Sequence, residues 1–259
     1  MEKIFILGHQ KPDTDSITSA ISLSYLKNQL GMNTVPARIG DINRETQYAL
    51  DYFNLKAPTL VDDVKLQLKD LAYHKDYYLN CHASINDTYN YMLDKGITGI
   101  PIVDDANKFI GLITLKIIVK DIVNGNINKL NTSYQNLLNT LEAEEVLKFD
   151  DEINGNILAA SYRSSTFMST VTLTHDNILI VGDRHSVIEY AISCGVKLII
   201  VVGNGEIRPE HLELAKQNHV NIIRTGFDTF RTTKVIGLSN YIANIIPNEV
   251  PYTFNESDY

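Results

Sequence analysis

Tryptophan is absent from this 259-residue chain, and cysteine occurs only twice. Cys81 and Cys194 lie far apart, which excludes a disulfide-stapled scaffold and fits reduced, partly buried thiols. With no Trp, the 14 tyrosines dominate the ultraviolet absorption. No apolar run approaches the ~20 residues of a membrane span. The first apolar run, Ile4-Phe5-Ile6-Leu7, turns polar too soon for a secretory leader. Basic charge is also scarce: the net charge of −8 disfavours a nucleic-acid backbone as a general partner. The expected setting is cytoplasmic, with no membrane and no nucleic acid. What remains is ordinary globular material, 44% hydrophobic and 21% charged, enough for one large domain or two to three small ones.

Residues 8 to 17 carry the strongest local pattern, Gly-His-Gln-Lys-Pro-Asp-Thr-Asp-Ser-Ile. A short buried strand is expected to end at Gly8, and a helix to begin near Ser16. The turn between them presents His9, Asp13 and Asp15. Strand-end turns of α/β sheets are where ligands bind. One imidazole and two carboxylates suit a hard or borderline divalent ion such as Mn²⁺, Mg²⁺ or Co²⁺. The adjoining helix N-terminus favours an anion. A plainer alternative stands beside this: Asp15 or Ser16 as an N-cap, Pro12-Asp13 as a turn, and His9 on the surface.

The pattern continues as strand, helix, strand, helix through residues 1–61. Ile17, Ala20, Ile21, Leu23, Tyr25 and Leu26 line the first helix, Thr34 to Ile39 form a strand, and Thr46 to Leu55 a second helix. Such a segment is too short to close its own sheet. Ser84 to Lys95 follows as an amphipathic helix with Ile85, Tyr89, Met92 and Leu93 on one side. Gly99-Ile100-Pro101-Ile102-Val103-Asp104 and Phe109-Ile110-Gly111-Leu112-Ile113-Thr114 then form a hairpin, closed by a helix over Leu115 to Val123. Residues 125–131 read as a polar linker.

Beyond the linker, strands at Asn177–Val181, Lys197–Val202 and Asn221–Arg224 alternate with helices at Ser186–Ser193 and Glu210–Gln217. Pro209 stands at a first helical position, and Asp228 or Thr229 caps a helix reaching about Asn244. Alternation of this kind predicts a parallel sheet. Asp183-Arg184 reads as a capped turn with an ion pair, and Thr174-His175-Asp176 as a loop. His211 and His219 are expected to face solvent. Gly203-Asn204-Gly205 is a turn, because no P-loop Lys-Thr or Lys-Ser follows it.

Three resemblances emerge from these strings. Residues 8–17 resemble the first motif of the DHH phosphoesterases, above all the manganese-dependent family II inorganic pyrophosphatases; Thr14-Asp15-Ser16 disfavours other DHH members. The hairpin with its Gly-x-Pro and Gly-h-h-Thr strings resembles a CBS motif. Ile180-Val181-Gly182-Asp183-Arg184, followed by Ala191-Ile192-x-x-Gly195-Val196-Lys197, resembles a DRTGG domain. Together they resemble the nucleotide-regulated pyrophosphatases, in which a regulatory insert interrupts the DHH domain. The implied fold class is α/β: a partial Rossmann-like DHH segment over 1–61, a CBS motif over 62–124, and a DRTGG-like parallel domain over 132–245. Residues 246–259 would begin a second CBS motif that the sequence does not continue.

The resemblance implies that His9 and Asp13 bind one Mn²⁺ (or Co²⁺ or Mg²⁺) and Asp15 a second, for hydrolysis of pyrophosphate. It implies that Gly99, Pro101 and Thr114 lie nearest to an adenine nucleotide: AMP, ADP, ATP or a diadenosine polyphosphate. Ile117 stands where CBS motifs commonly place an Asp or Asn for the ribose. No Asp-His-His, no later Val-Asp-His-Asn and no basic C-terminal string appears, so the chain alone is expected to be inactive. The alternative is a non-catalytic, adenine-nucleotide-sensing module. A homodimer is expected, paired through CBS sheet faces, with a charge at Ile102 or Ile113 dissociating or unfolding it.

Overall fold

The computed structural model describes residues 3–61, 67–125, 128–249 and 251–258. The expected CBS start at residue 62 and part of the 125–131 linker lie outside these residues. The chain divides into two compact units, Met1–Tyr73 with Thr253–Tyr259, and His74–Tyr252. Residues 246–252 thus run with the second unit, and the segment after them with the first.

The first unit is a β-α-β-α-β run: β1 (Ile4–Leu7), α1 (Thr14–Gln29), β2 (Thr34–Arg38), α2 (Arg44–Tyr52) and β3 (Thr59–Leu60). Its strands are parallel in the order β1-β2-β3. Asp13 caps α1, its carboxylate accepting from Ser16 N at 2.9 Å, and Asn43 caps α2. Asn28 clamps the return of the chain, bonding both backbone groups of Thr34 at 2.7 and 2.9 Å. Ile17, Ala20, Ala37 and Leu50 are buried. The expected burial of the first strand does not hold: Ile4, Phe5 and Leu7 are exposed, as are Leu23, Tyr25 and Leu26 of α1. Right-handed crossovers place both helices of such a run on one sheet face.

The second unit opens with β4 (Leu79–Asn80), α3 (Ile85–Lys95), β5 (Gly99–Val103), β6 (Phe109–Thr114) and α4 (Leu115–Asn124). Its sheet runs β4-β5-β6, parallel then antiparallel. Ser84 caps α3, and Gly96 ends it at φ 64°, a left-handed turn open to glycine. Ile85, Met92, Ile100, Ile102, Ile113, Ile118 and Ile242 form one core. Ile102 and Ile113 therefore face inward, and Ile110 and Leu112 occupy the outward face. Tyr89 and Leu93 are exposed as well, so the buried stripe of α3 is narrower than expected: Ile85, Thr88 and Met92.

The larger part of this unit continues with β7 (Lys129–Ser133), α5 (Tyr134–Leu141), β8 (Ala143–Leu147), β9 (Glu152–Ala159) and α6 (Ser164–Thr170). It closes with β10 (Asn177–Val181), α7 (His185–Ser193), β11 (Leu198–Val201), α8 (Pro209–Asn218), β12 (Asn221–Thr225) and α9 (Thr229–Val235). The sheet order is β7-β9-β10-β11-β12-β8. The four central strands are parallel, as expected, and the two edge strands are antiparallel. Alternation divides the central strands between two cores. Ile178, Ile180, Leu198 and Ile200 face one, and Leu179, Val181, Ile199 and Val201 the other. That double burial is why these strands read as unbroken apolar runs.

After α9 the expected long helix breaks into two short 3₁₀ segments, Ile236–Ser239 and Ile242–Ile245. Here the chain crosses back to the β4–α4 part instead, with Ile242 N donating to Ala83 O at 2.8 Å and Ile85 N to Asn240 O at 3.0 Å. Among the described residues no helix is long and apolar enough to cross a membrane.

His211 is buried at 5% exposure, contrary to expectation, beside the His185 ring at 5.4 Å. Its pKa lies below the ordinary 6.5, first through burial, then through the neighbouring His185; Arg208 adds to this, and Glu189 and Glu210 oppose it. The unfolded chain takes up this proton near pH 6.5 and the folded chain resists it. The stability from neutral His211 is thus complete above that pH and lost as pH falls toward the depressed value. Thermal melts should show a lower midpoint below pH 6.5 than above it, and His211→Gln should shrink that difference. Equal pH dependence in both proteins would show that other groups set it.

Candidate metal and nucleotide sites

The turn between β1 and α1 folds back tightly onto the helix start. A Cβ on Gly8 would stand 1.8 Å from Ser16 Oγ, so a larger residue would have to displace that hydroxyl. His9 N donates to that hydroxyl at 3.2 Å. The loop after β2 closes the other side: a Cβ on Gly40 would meet Gln10 O at 2.7 Å. Thr14 Oγ1 and Thr46 Oγ1, 3.0 Å apart, join the starts of α1 and α2.

Within this turn His9 Nε2 lies 3.2 Å from Asp13 Oδ1, with both side chains more than half exposed. The Ser16 backbone N–H, then the nearby His9, holds the Asp13 carboxyl below its ordinary value of 3.8. Both contacts use Oδ1, and Oδ2 stays open to a further ligand. Asp15 stands apart, its carboxylate 3.5 Å from Ser19 Oγ. The plainer reading and the ligand reading thus coexist, with Asp13 rather than Asp15 or Ser16 as the cap. The donor set fits Mn²⁺ or Co²⁺ in chemistry: one imidazole and hard oxygens. It is too small to complete two metal centres.

In the β5–β6 hairpin, Gly99 pairs with Thr114 and Pro101 with Leu112. Paired residues of an antiparallel ladder share a face. The three expected nucleotide contacts therefore lie together on the outward face, with Ile110 and Leu112. Thr114 also caps α4, its hydroxyl accepting from Ile117 N at 3.4 Å.

A third group lies outside the sequence motifs. Among the described residues, Cys81, His82 and Asp105 gather three ligand atoms within 4.8 Å of one another. The Cys-His dipeptide was a signal, but Asp105 lies far along the chain, and only the β4–β5 pairing brings it near.

With this geometry in hand, comparison with known proteins defines the class. Residues 68–124 match the CBS domain family and residues 136–239 the DRTGG domain family. A solved structure of the CBS and DRTGG domains of the regulatory region of Clostridium perfringens pyrophosphatase, complexed with the activator diadenosine tetraphosphate, has TM-score 0.65 and 28% identity, covering 71% of this chain and 81% of that one. The second unit thus holds the DRTGG domain and most of the CBS domain.

A cobalt-dependent inorganic pyrophosphatase of Clostridium perfringens is 33% identical over 240 residues, 90% of this chain and 43% of the relative. A probable manganese-dependent inorganic pyrophosphatase of Thermotoga maritima is 28% identical over 259 residues, 97% of this chain and 47% of the relative. The manganese-dependent inorganic pyrophosphatase of Bacillus subtilis is 61% identical over 62 residues, 24% of this chain and 20% of the relative. The chain carries CBS and DRTGG domains and is similar along nearly all its length to manganese- and cobalt-dependent inorganic pyrophosphatases. It spans about half the length of the long relatives that it matches.

Proposed function

We propose that this chain supplies the nucleotide-sensing region of a cytoplasmic, DHH-type inorganic pyrophosphatase, together with one corner of its metal centre. The observation that carries this is the joint presence of the His9–Asp13 turn and a CBS–DRTGG unit in a chain related to pyrophosphatases along nearly all its length. In this reading His9 and Asp13 hold one Mn²⁺ or Co²⁺ and Asp15 reaches the second. An ion held there would supply Lewis acidity toward pyrophosphate and an attacking water. The chain's own part is to fix the imidazole and carboxylate at the strand end. Adenine nucleotides, including diadenosine polyphosphates, bind at the outward CBS face beside Gly99, Pro101 and Thr114.

Two copies pair through that same face about a two-fold axis. Ile110 and Leu112 support this, because adjacent exposed apolar residues mark association surfaces. A chain that only senses adenine nucleotides is the second reading, favoured by the small ligand set at the turn.

Calorimetric titration tests the metal assignment. Mn²⁺ should bind weakly to the wild-type chain, and replacing His9, Asp13 and Asp15 by Ala should abolish that uptake. Identical uptake by both proteins would remove the assignment.

A further inference from the structure

We propose a second divalent-metal site, of zinc type, formed by Cys81, His82 and Asp105 with water as the fourth ligand. Cys81 and His82 turn out of β4, and Asp105 turns out of β5. The parallel pairing of Asn80 with Val103, extended by Cys81 N donating to Val103 O at 2.8 Å, brings these two turns side by side. The thiol, one imidazole nitrogen and one carboxylate oxygen then lie within 4.8 Å of one another. At metal–ligand distances of about 2.0–2.3 Å, the ligand atoms of a tetrahedral site stand roughly 3.3–3.7 Å apart. His82 Nε2 and Asp105 Oδ2 already stand 3.3 Å apart. Only a small rotamer adjustment closes the set.

The surroundings hold these ligands in place. Asn80 Nδ2 donates to Asp105 Oδ1 at 3.0 Å, which leaves Oδ2 for the ion. Asn80 Oδ1 accepts from His82 N at 2.9 Å. The Tyr241 ring meets the His82 ring edge to face at 5.1 Å, and Asn136 Nδ2 donates to His82 O at 3.1 Å. Outer partners of this kind orient ligands and sustain affinity.

The chemistry selects the ion. A thiolate, an imidazole and a single carboxylate suit Zn²⁺ and its stand-in Co²⁺, whereas Mg²⁺ and Ca²⁺ want oxygen alone. Burial and the Asp105 carboxylate push the Cys81 thiol up, which disfavours a reactive nucleophile. A bound cation would displace that proton. The site stands at the far end of β5 from Gly99 and does not rest on the proposed nucleotide reading.

Co²⁺ titration of the full chain, kept reduced, tests the site. A near-ultraviolet thiolate-to-cobalt band should rise to one equivalent and be bleached by one equivalent of Zn²⁺. Cys81→Ser should lose it, Cys194→Ser should keep it, and Asn80→Ala should weaken Co²⁺ about 10-fold. The turn at His9 offers only nitrogen and oxygen, so Co²⁺ bound there gives no such band. If Cys81→Ser fails to melt cooperatively, His82→Gln carries the same expectation from an exposed ring. A wild-type chain with no thiolate band, or a band that survives Cys81→Ser or His82→Gln, would overturn the proposal.

Discussion

Supplied with pyrophosphate and either Mn²⁺ or Co²⁺, the 259-residue chain is expected to release phosphate no faster than the metal ion alone. Two-metal hydrolysis needs ions about 3.5–4 Å apart, which clamp the attacking and leaving oxygens. Each such ion takes about six ligands, drawn from side chains, waters and substrate. The turn after β1 offers His9 and Asp13 in contact and Asp15 apart from them. Asp13 also serves the α1 cap through one oxygen. Nothing in this arrangement bridges two ions, so the lost acceleration amounts to many orders of magnitude. Phosphate release well above background, abolished by Asp13→Ala, would show that other side chains join the turn, for instance across a dimer.

Ile102→Asp is expected to unfold the CBS part, while Leu112→Asp is expected to leave it folded and separate the two copies. Ile102 is fully buried against Ile85, Met92 and Ile242. Its loss alone costs about 2–5 kcal/mol, and a desolvated carboxylate adds to that. Small domains hold only about 5–15 kcal/mol in all. Leu112, 39% exposed on the outward face, has room for a hydrated charge. Circular dichroism should therefore show lost cooperative melting for the first variant only. Light scattering should show a dimer for the wild type and a monomer for Leu112→Asp. Should Ile102→Asp melt like the wild type, the inward placement of that strand face would be wrong.

The same pair shows where sequence alone ran short. Alternation along Gly99–Val103 and Phe109–Thr114 reveals two faces, but both carry apolar residues, so it does not say which face meets the helices. The core shows it: Ile100, Ile102 and Ile113 cluster with Ile85, Met92 and Ile118, and with Ile242 from far along the chain. Strands β10 to β12 were legible because burial on both faces leaves continuous apolar runs. Strand β7 was not, because Lys129–Ser133 is polar and owes its extended form to pairing with β9. His211 sits in a helix of mixed composition, and only the packing of α8 against α7 buries it.

The candidate sites divide in the same way. His9, Asp13 and Asp15 were visible because strand, turn and ligands are contiguous. Gly99, Pro101 and Thr114 were visible as a motif, and the register places them on one face. Cys81 and His82 stand side by side in the sequence, but Asp105 was invisible as their partner, because a ladder rather than a spacing unites them.

The central claim is that the second unit senses adenine nucleotides, and titration calorimetry with diadenosine tetraphosphate tests it most directly. The wild-type chain should give saturable heat. Gly99→Val, which places a branched side chain against Thr114 on the proposed binding face, should weaken affinity at least about 10-fold, or ~1.4 kcal/mol, with its thermal melt retained. Absence of heat at millimolar nucleotide, or equal affinity in a well-folded Gly99→Val chain, would contradict it.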